Sequence, residues 1–351
     1  MKKAPKGNIT RIGVLTGGGD CPGLNSVIRA VVRCSLREGI EVVGIRNGWA
    51  GLTQNIAPML LDLNAISGII HRGGTILGTS RTNPYKSRDI LQNLYKNFAK
   101  YRLDALIVIG GEDTLGVAAK LAKEGYPIVG VPKTIDNDLS GTDYTFGFDT
   151  AVNIVMEAID RLHTTAESHH RIMVVEVMGR HAGWIALTSG IAGGADIILI
   201  PEFPMSIRDV IQSINSRLAR GKNFSIIVVA EGAQIKGGKL FQKGIKKDEF
   251  GHAILGGISQ ALADEISRQT GLDTRVTQLG HIQRGGSPTA FDRMLGTRFG
   301  VKAVELVKKR KFGHMVCLRG TEIKSILIQQ AAGKLKRVDR KLYEMANKFF
   351  G

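Results

Sequence analysis

Short apolar runs that end in glycine and hand over to an amphipathic stretch recur along this chain, and that rhythm leaves few folds open. Arg11-Ile-Gly-Val-Leu-Thr16 reads as a strand and Gly17-Gly-Gly-Asp-Cys-Pro-Gly-Leu-Asn25 as a turn. Residues 26–38 then read as a helix with Val27, Ala30, Val31 and Cys34 on its apolar face. Residues 41–46, 105–110 and 126–131 read as further strands, and 88–102 as a helix with Ile90, Leu91, Leu94 and Phe98 on one side. After a long helix at 150–166 the pattern resumes. A strand runs between Arg171 and Met178, with others at 196–200, 225–230 and 274–278 and helices at 207–220 and 252–270. Strand and helix in alternation imply parallel sheets with right-handed crossovers. The expected fold is α/β in two lobes, each a mainly parallel sheet flanked by helices, with the ligand site in the cleft between them. Expected boundaries are 1–150 for the first lobe, to which part of the C-terminal region can return, 151–310 for the second, and 311–351 for a helical extension.

At 351 residues the chain can bury a core in each lobe, and a 43% apolar share argues that its 44 glycines serve tight turns rather than disorder. No apolar run reaches the roughly 20 residues of a membrane span, and Met1-Lys-Lys-Ala-Pro-Lys lacks the apolar region of a signal peptide. Cys21, Cys34 and Cys317 are too few and too scattered for a disulfide framework or a zinc site, so a reducing cytoplasm is expected. A net charge of +17 invites a nucleic-acid partner. Against that reading, the cations are spread along the chain, aromatics make up 6%, and no nucleic-acid-binding motif is present. The densest cations, between Lys302 and Lys341, read as solvated helix faces, and the alternative use for so much positive charge is an anionic small molecule.

Two acidic segments carry the chemistry. Val131-Pro-Lys-Thr-Ile-Asp-Asn-Asp-Leu139 sets Asp136 and Asp138 beyond a strand, at the carboxyl edge where open α/β sheets hold ligands. There Asp136 suits a general base, although the same residues also suit a turn in which they bond their own backbone. Ala105-Leu-Ile-Val-Ile-Gly-Gly-Glu-Asp-Thr-Leu115 ends a strand in two glycines and two acids at the mouth of a helix. Such a helix start favours phosphate. Two acids beside it call for a cation, and Mg²⁺, which takes one or two carboxylates plus phosphate oxygens, makes Glu112 a natural ligand. Helix capping is the alternative. The glycines of the Gly17 turn and of Arg72-Gly-Gly-Thr-Ile-Leu-Gly-Thr-Ser-Arg81 read as phosphate cradles, and steric needs alone also account for them. Glu231 can accept from sugar hydroxyls or pair with a cation. Within Gly280-His-Ile-Gln-Arg-Gly-Gly-Ser-Pro288, His281 can grip a phosphate or sit neutral in the core.

Taken together, Gly17-Gly-Gly-Asp-x-Pro-Gly-x-Asn25, Arg72-Gly-Gly-Thr75, Gly110-Gly-x-x-Thr114, Thr134-Ile-Asp-Asn-Asp138, Val175-Glu-Val-Met-Gly-Arg180 and Leu279-Gly-His-Ile-Gln-Arg-Gly-Gly-Ser-Pro288 resemble the 6-phosphofructokinase family in order and spacing. The resemblance implies phosphoryl transfer to the C1 hydroxyl of fructose 6-phosphate, giving fructose 1,6-bisphosphate, with Mg²⁺ at Glu112. It makes Asp136 the base, with Thr134 and Ile135 beside it on the sugar. It sets Met178, Gly179, Arg180 and Glu231 around the sugar's body. His281 and Arg284, on the stretch that also holds Ile282 and Gln283, would meet the 6-phosphate, and Gly19 and Arg81 would face the phosphoryl donor. Arg171 and Arg275 would reach this site from a neighbouring subunit, so a homodimer or homotetramer with shared sites is expected. Residues 1–150 would then hold donor and metal, and 151–310 the sugar phosphate.

The chain departs from the ATP-dependent branch at two glycines. Gly110-Gly-Glu-Asp-Thr114 stands where that branch has Gly-Gly-Asp-Gly-Ser/Thr, and Pro132-Lys-Thr-Ile-Asp136 where it has Pro-Gly-Thr-Ile-Asp. Asp113 and Lys133 match the branch that uses inorganic diphosphate. A carboxylate at 113 would repel the α-phosphate of ATP, while Lys133 would neutralise charge building up between the reacting phosphates. The rival is an ATP-dependent enzyme whose adenine stacks on Trp49. A non-catalytic sugar-phosphate or nucleic-acid binder would leave Asp136, Glu112 and Lys133 without work.

Overall fold

The computed structural model describes residues 7–236 and 257–350. Residues 1–6 and the expected helical residues 252–256 lie outside the described residues; the helix itself is described over Ile258–Thr270. Two compact units emerge. One comprises Met1–Ile135, Leu139–Asp149 and Arg284–Lys334, and the other Asp136–Asp138, Thr150–Gln283 and Leu335–Gly351.

In the first unit a seven-stranded sheet runs in the order Glu322–Leu327, His314–Arg319, Ile128–Pro132, Ala105–Gly110, Arg11–Gly17, Glu41–Ile45, Met59–Leu60. Its inner pairings are parallel and its two outermost pairings antiparallel. Helices cover both faces, so the inner strands are apolar throughout, and Ile12, Val14, Leu106, Ile107, Val108, Ile109, Ile128 and Val129 are all fully buried. The division at 310 does not hold. The chain rejoins the first unit at Arg284, because helix Ala290–Lys308 packs on helix Leu24–Arg37 at very close range. A Cβ on Gly300 would lie 2.7 Å from the Val27 carbonyl oxygen, so glycine is what lets the two backbones meet.

The helical extension expected at 311–351 is also corrected. His314–Arg319 and Glu322–Leu327 form an antiparallel pair that extends the first sheet, and helix returns mainly at Arg340–Asn347. Glu322, Lys324 and Leu327 are exposed while Ile323, Ser325 and Ile326 are half-buried, a strand's alternation that holds only over Glu322–Ser325.

In the second unit a four-stranded, all-parallel sheet has the order Thr274–Gln278, Ile172–Val177, Ser225–Ala230, Ile197–Leu199. A short parallel ladder joins Met205–Ser206 to Ile235–Lys236. Among the described residues no helix is long and apolar enough to cross a membrane.

Candidate active site

Three strands of the first sheet end level, since Gly17 pairs with Gly110 and Gly110 with Pro132. The turn Gly18–Asp20, the helix start at Gly111 and the side chain of Lys133 therefore share one carboxyl edge, the side on which open α/β sheets bind ligands. Lys133 is only 3% exposed. Its Nζ donates to the Gly19 carbonyl, and its backbone N–H donates to the Gly110 carbonyl at 3.0 Å. Burying an ammonium is costly unless it is hydrogen-bonded, and this one is turned into the glycine turn rather than out to water.

A second cation joins it. Arg284 Nη1 donates to the Asp20 carbonyl at 3.3 Å, and a Cβ on Gly19 would stand 2.5 Å from that same nitrogen. Any side chain there would move the guanidinium from this place. Sequence reasoning set Arg284 beside His281 on a sugar's 6-phosphate; in this structure Arg284 belongs to the first unit and its guanidinium bonds the Gly17 turn.

The turn is braced by residues of the quoted stretches to which no role was given. Thr79 Oγ1 donates to the Gly18 carbonyl at 2.6 Å, Gly18 N–H donates to the Ser80 carbonyl at 3.1 Å, and Asn25 Nδ2 donates to the Arg72 carbonyl at 3.0 Å. The glycine-rich stretch at 72–81 is thus tied to the Gly17 turn, with Arg81 exposed at its end. Cys21 lies in the same turn. Burial pushes its thiol up to about 12, against the pull of Lys133, so it is a packing residue and not a nucleophile. Glu112 and Asp113 occupy the first turn of helix Glu112–Lys123, both half-buried. Trp49 is 1% exposed in the core with Leu52, Leu94 and Phe98, so it cannot stack on an adenine.

The second unit carries the other group of expected residues. Asn137 holds Asp136 and Asp138 apart at φ 50°, a left-handed conformation that asparagine tolerates better than most side chains. Val177 pairs with Ala230, so Met178 and Glu231 leave their strands side by side. Burial, chiefly, raises the Glu231 carboxyl above its ordinary range; the charge of Asp136 adds to this and Arg180 opposes it. Asp136, Arg180 and Glu231 therefore share one electrostatic neighbourhood.

Gln283 is a brace rather than a ligand. Fully buried, it accepts from the Met178 N–H at 3.2 Å and donates to the Gly280 carbonyl at 3.0 Å, which fixes the Met178-Gly-Arg180 backbone. His281 and Ile282 are exposed on the 3₁₀ turn Gly280–Arg284, so the core reading of His281 does not hold. Ile135 is fully buried in the first unit and can offer a ligand only its backbone, while the Thr134 carbonyl accepts from Thr145 Oγ1 at 2.7 Å.

Arg171 and Arg275 stand apart from this group. Both pair with Asp273, through Nε contacts of 2.6 and 3.0 Å, at the amino ends of strands Ile172–Val177 and Thr274–Gln278. Met178 and Leu279 leave the opposite ends of the same strands, at about 3.3 Å per residue roughly 23 Å from Arg171 to Met178 and roughly 13 Å from Arg275 to Leu279. The two arginines cannot serve the Met178 edge of their own sheet.

No group of three or more metal-ligating side chains gathers among the described residues. That donor set fits Mg²⁺ arriving with phosphate, which needs only one or two protein carboxylates. Glu112, half-buried at the edge shared with Lys133, is placed to supply one.

A family model described as Phosphofructokinase matches residues 11–307. The sequence is 57% identical over 344 residues to the pyrophosphate–fructose 6-phosphate 1-phosphotransferase of Streptomyces coelicolor, covering 97% of this chain and 100% of that one. It is 52% identical over 342 residues to the ATP-dependent 6-phosphofructokinase of Corynebacterium efficiens, covering 97% and 99%. Among solved structures, phosphofructokinase of Pichia pastoris in the T-state superposes with a TM-score of 0.82 at 34% identity, over 93% of this chain and 36% of that longer one.

Proposed function

This chain belongs to the phosphofructokinase family, and from that premise we propose that it moves a phosphoryl group reversibly between inorganic diphosphate and the C1 hydroxyl of fructose 6-phosphate. The observation that carries the reading is Lys133, whose ammonium is buried against the Gly19 carbonyl with the Arg284 guanidinium on the same turn. Two fixed cations on a glycine turn suit a compact, highly charged donor. Asp113, in the first turn of the helix that follows the neighbouring strand Ala105–Gly110, disfavours a third phosphate and the nucleoside beyond it.

In this mechanism Asp136 takes the proton of the C1 hydroxyl as that oxygen bonds to phosphorus, and phosphate departs from the other side. Lys133 meets the negative charge shared between the two phosphoryl groups. Mg²⁺, held by Glu112, would lower the charge on the donor oxygens. Met178, Gly179, Arg180 and Glu231 orient the sugar, and the raised carboxyl of Glu231 suits a group that exchanges hydrogen bonds with hydroxyls. Three free thiols suit a reducing cytoplasm.

The test is a parallel assay of purified protein with fructose 6-phosphate and Mg²⁺, supplied with diphosphate or with ATP. Fructose 1,6-bisphosphate should accumulate with diphosphate. A relative named for ATP at 52% identity makes ATP the second reading, and turnover with ATP alone would establish it.

Oligomerisation follows from Arg171 and Arg275. Set roughly 23 Å (Arg171) and, level with Met173, roughly 17 Å (Arg275) from Met178, they suit a sugar site in another subunit, so we propose a homodimer or homotetramer with shared sites. Mixing Arg171→Ala with Asp136→Asn, each nearly inactive, should restore up to about a quarter of wild-type sites if each site takes one residue from either chain. No recovery after subunit exchange verified by native mass spectrometry would place each site within one chain.

A further inference from the structure

Residues 335–338 match none of the motifs above, yet they bond to both walls of the candidate sugar site within the second unit. Lys336 Nζ donates to Asn137 Oδ1 at 2.8 Å, and its backbone N–H donates to the Asp138 carbonyl at 2.7 Å. Those contacts grip the loop that carries Asp136. From the other wall, Trp184 Nε1 donates to the Lys336 carbonyl at 2.8 Å, and the Lys336 ammonium lies 5.4 Å from the Trp184 ring centroid. Trp184 opens the helix that follows Met178-Gly-Arg180. Two residues on, the Val338 N–H donates at 3.0 Å to Glu202, whose carboxylate also accepts from Gly183 N–H at 3.0 Å.

We infer that this C-terminal segment is a strap that sets Asp136 in register with the sugar-holding Met178–Arg180 segment, with Lys336 as its positioning residue. The inference rests on reading Asp136 as the base. Most surface lysines are solvated and contribute little. Here one residue uses its ammonium, its N–H and its carbonyl on partners from two separate stretches, and the ammonium contact is charge-assisted. Asn137 is also held in a left-handed conformation, so its loop needs an external tie to keep a single shape. A catalytic group displaced by about 1 Å can lose on the order of a hundredfold in rate without losing substrate.

The experiment uses the full chain with Lys336→Met, which keeps the length of the side chain and removes its donors. With diphosphate, kcat should fall about tenfold to a hundredfold while the KM for fructose 6-phosphate stays within about threefold. Hydrogen exchange should quicken in the peptide spanning 136–139, and Lys336→Arg should recover most of the rate. An unchanged kcat would overturn the inference. So would faster exchange throughout the second unit with kcat and KM worsening together, since that marks general destabilisation.

If Lys336→Met does not fold, Trp184→Phe removes the other tie while keeping the ring, and the same split between kcat and KM is expected. An unchanged kcat there counts against the strap. Should wild-type protein fail to use diphosphate, the donor reading fails, but exchange at 136–139 still tests the strap by itself.

Discussion

Replacing Asp136 with asparagine should lower kcat by about 10² to 10⁴ while the KM for fructose 6-phosphate changes little, as expected when a positioned general base is lost. Asparagine keeps the shape of the side chain, so the left-handed residue at 137 and its bond from Lys336 have no cause to move. The substitution should also be felt at Glu231. The charge of Asp136 is the second cause, after burial, that raises the Glu231 carboxyl, so a neutral residue at 136 should let that carboxyl titrate lower. Steady-state kinetics checks the first effect and carboxyl-labelled NMR the second. A variant with wild-type kcat would return the loop to a turn that bonds only its own backbone.

The strands that position the sites were legible because each is a short apolar run closed by glycine or proline. Arg11–Gly17, Ala105–Gly110 and Ile128–Pro132 lie where the pattern put them, and their level ends follow from parallel pairing. What periodicity cannot report is where a long side chain turns after leaving its strand. Lys133 could have been solvated, and its burial against Gly19 depends on two segments 114 residues apart. Gln283 and His281 illustrate the same limit: they are two residues apart on one short turn, and the amide points inward as a brace while the imidazole stays outside.

The C-terminal hairpin departs from the expected helical extension because His314–Arg319 and Glu322–Leu327 pair with each other and His314 and Met315 join strand Ile128–Pro132, partners that a local pattern does not report. Lys336 was invisible for a comparable reason, since Asn137 lies 199 residues away. Arg171 and Arg275 were found by resemblance, and it is the direction of their strands that turns the expectation of a shared site into a geometric argument.

On the proposed reading, two residues select the donor, and their substitutions should leave different kinetic signatures. Like charges about 4 Å apart cost roughly 4 kcal/mol at an effective dielectric of 20, which is nearly a thousandfold in binding. Asp113 is half-buried, so solvent screens part of that, and Asp113→Gly should tighten ATP by about tenfold to several hundredfold. Glycine in the first turn of helix Glu112–Lys123 costs about 1 kcal/mol of stability, small enough for the variant to fold.

Lys133 acts differently. Its ammonium is already fixed on the Gly19 carbonyl, so its attraction grows as charge collects between the phosphoryl groups. Lys133→Met keeps the buried stem and removes the charge, and it should depress kcat and kcat/KM for diphosphate together by about 10² to 10³. Isothermal titration with ATP reads the first substitution, and steady-state kinetics with diphosphate reads the second. If Asp113→Gly leaves ATP affinity unchanged, charge at 113 does not select the donor. If Lys133→Met raises the KM for diphosphate at constant kcat, the lysine merely binds. The first result favours the ATP-dependent reading, whereas the second keeps diphosphate as the ligand of Lys133 and removes only its part in the transition state.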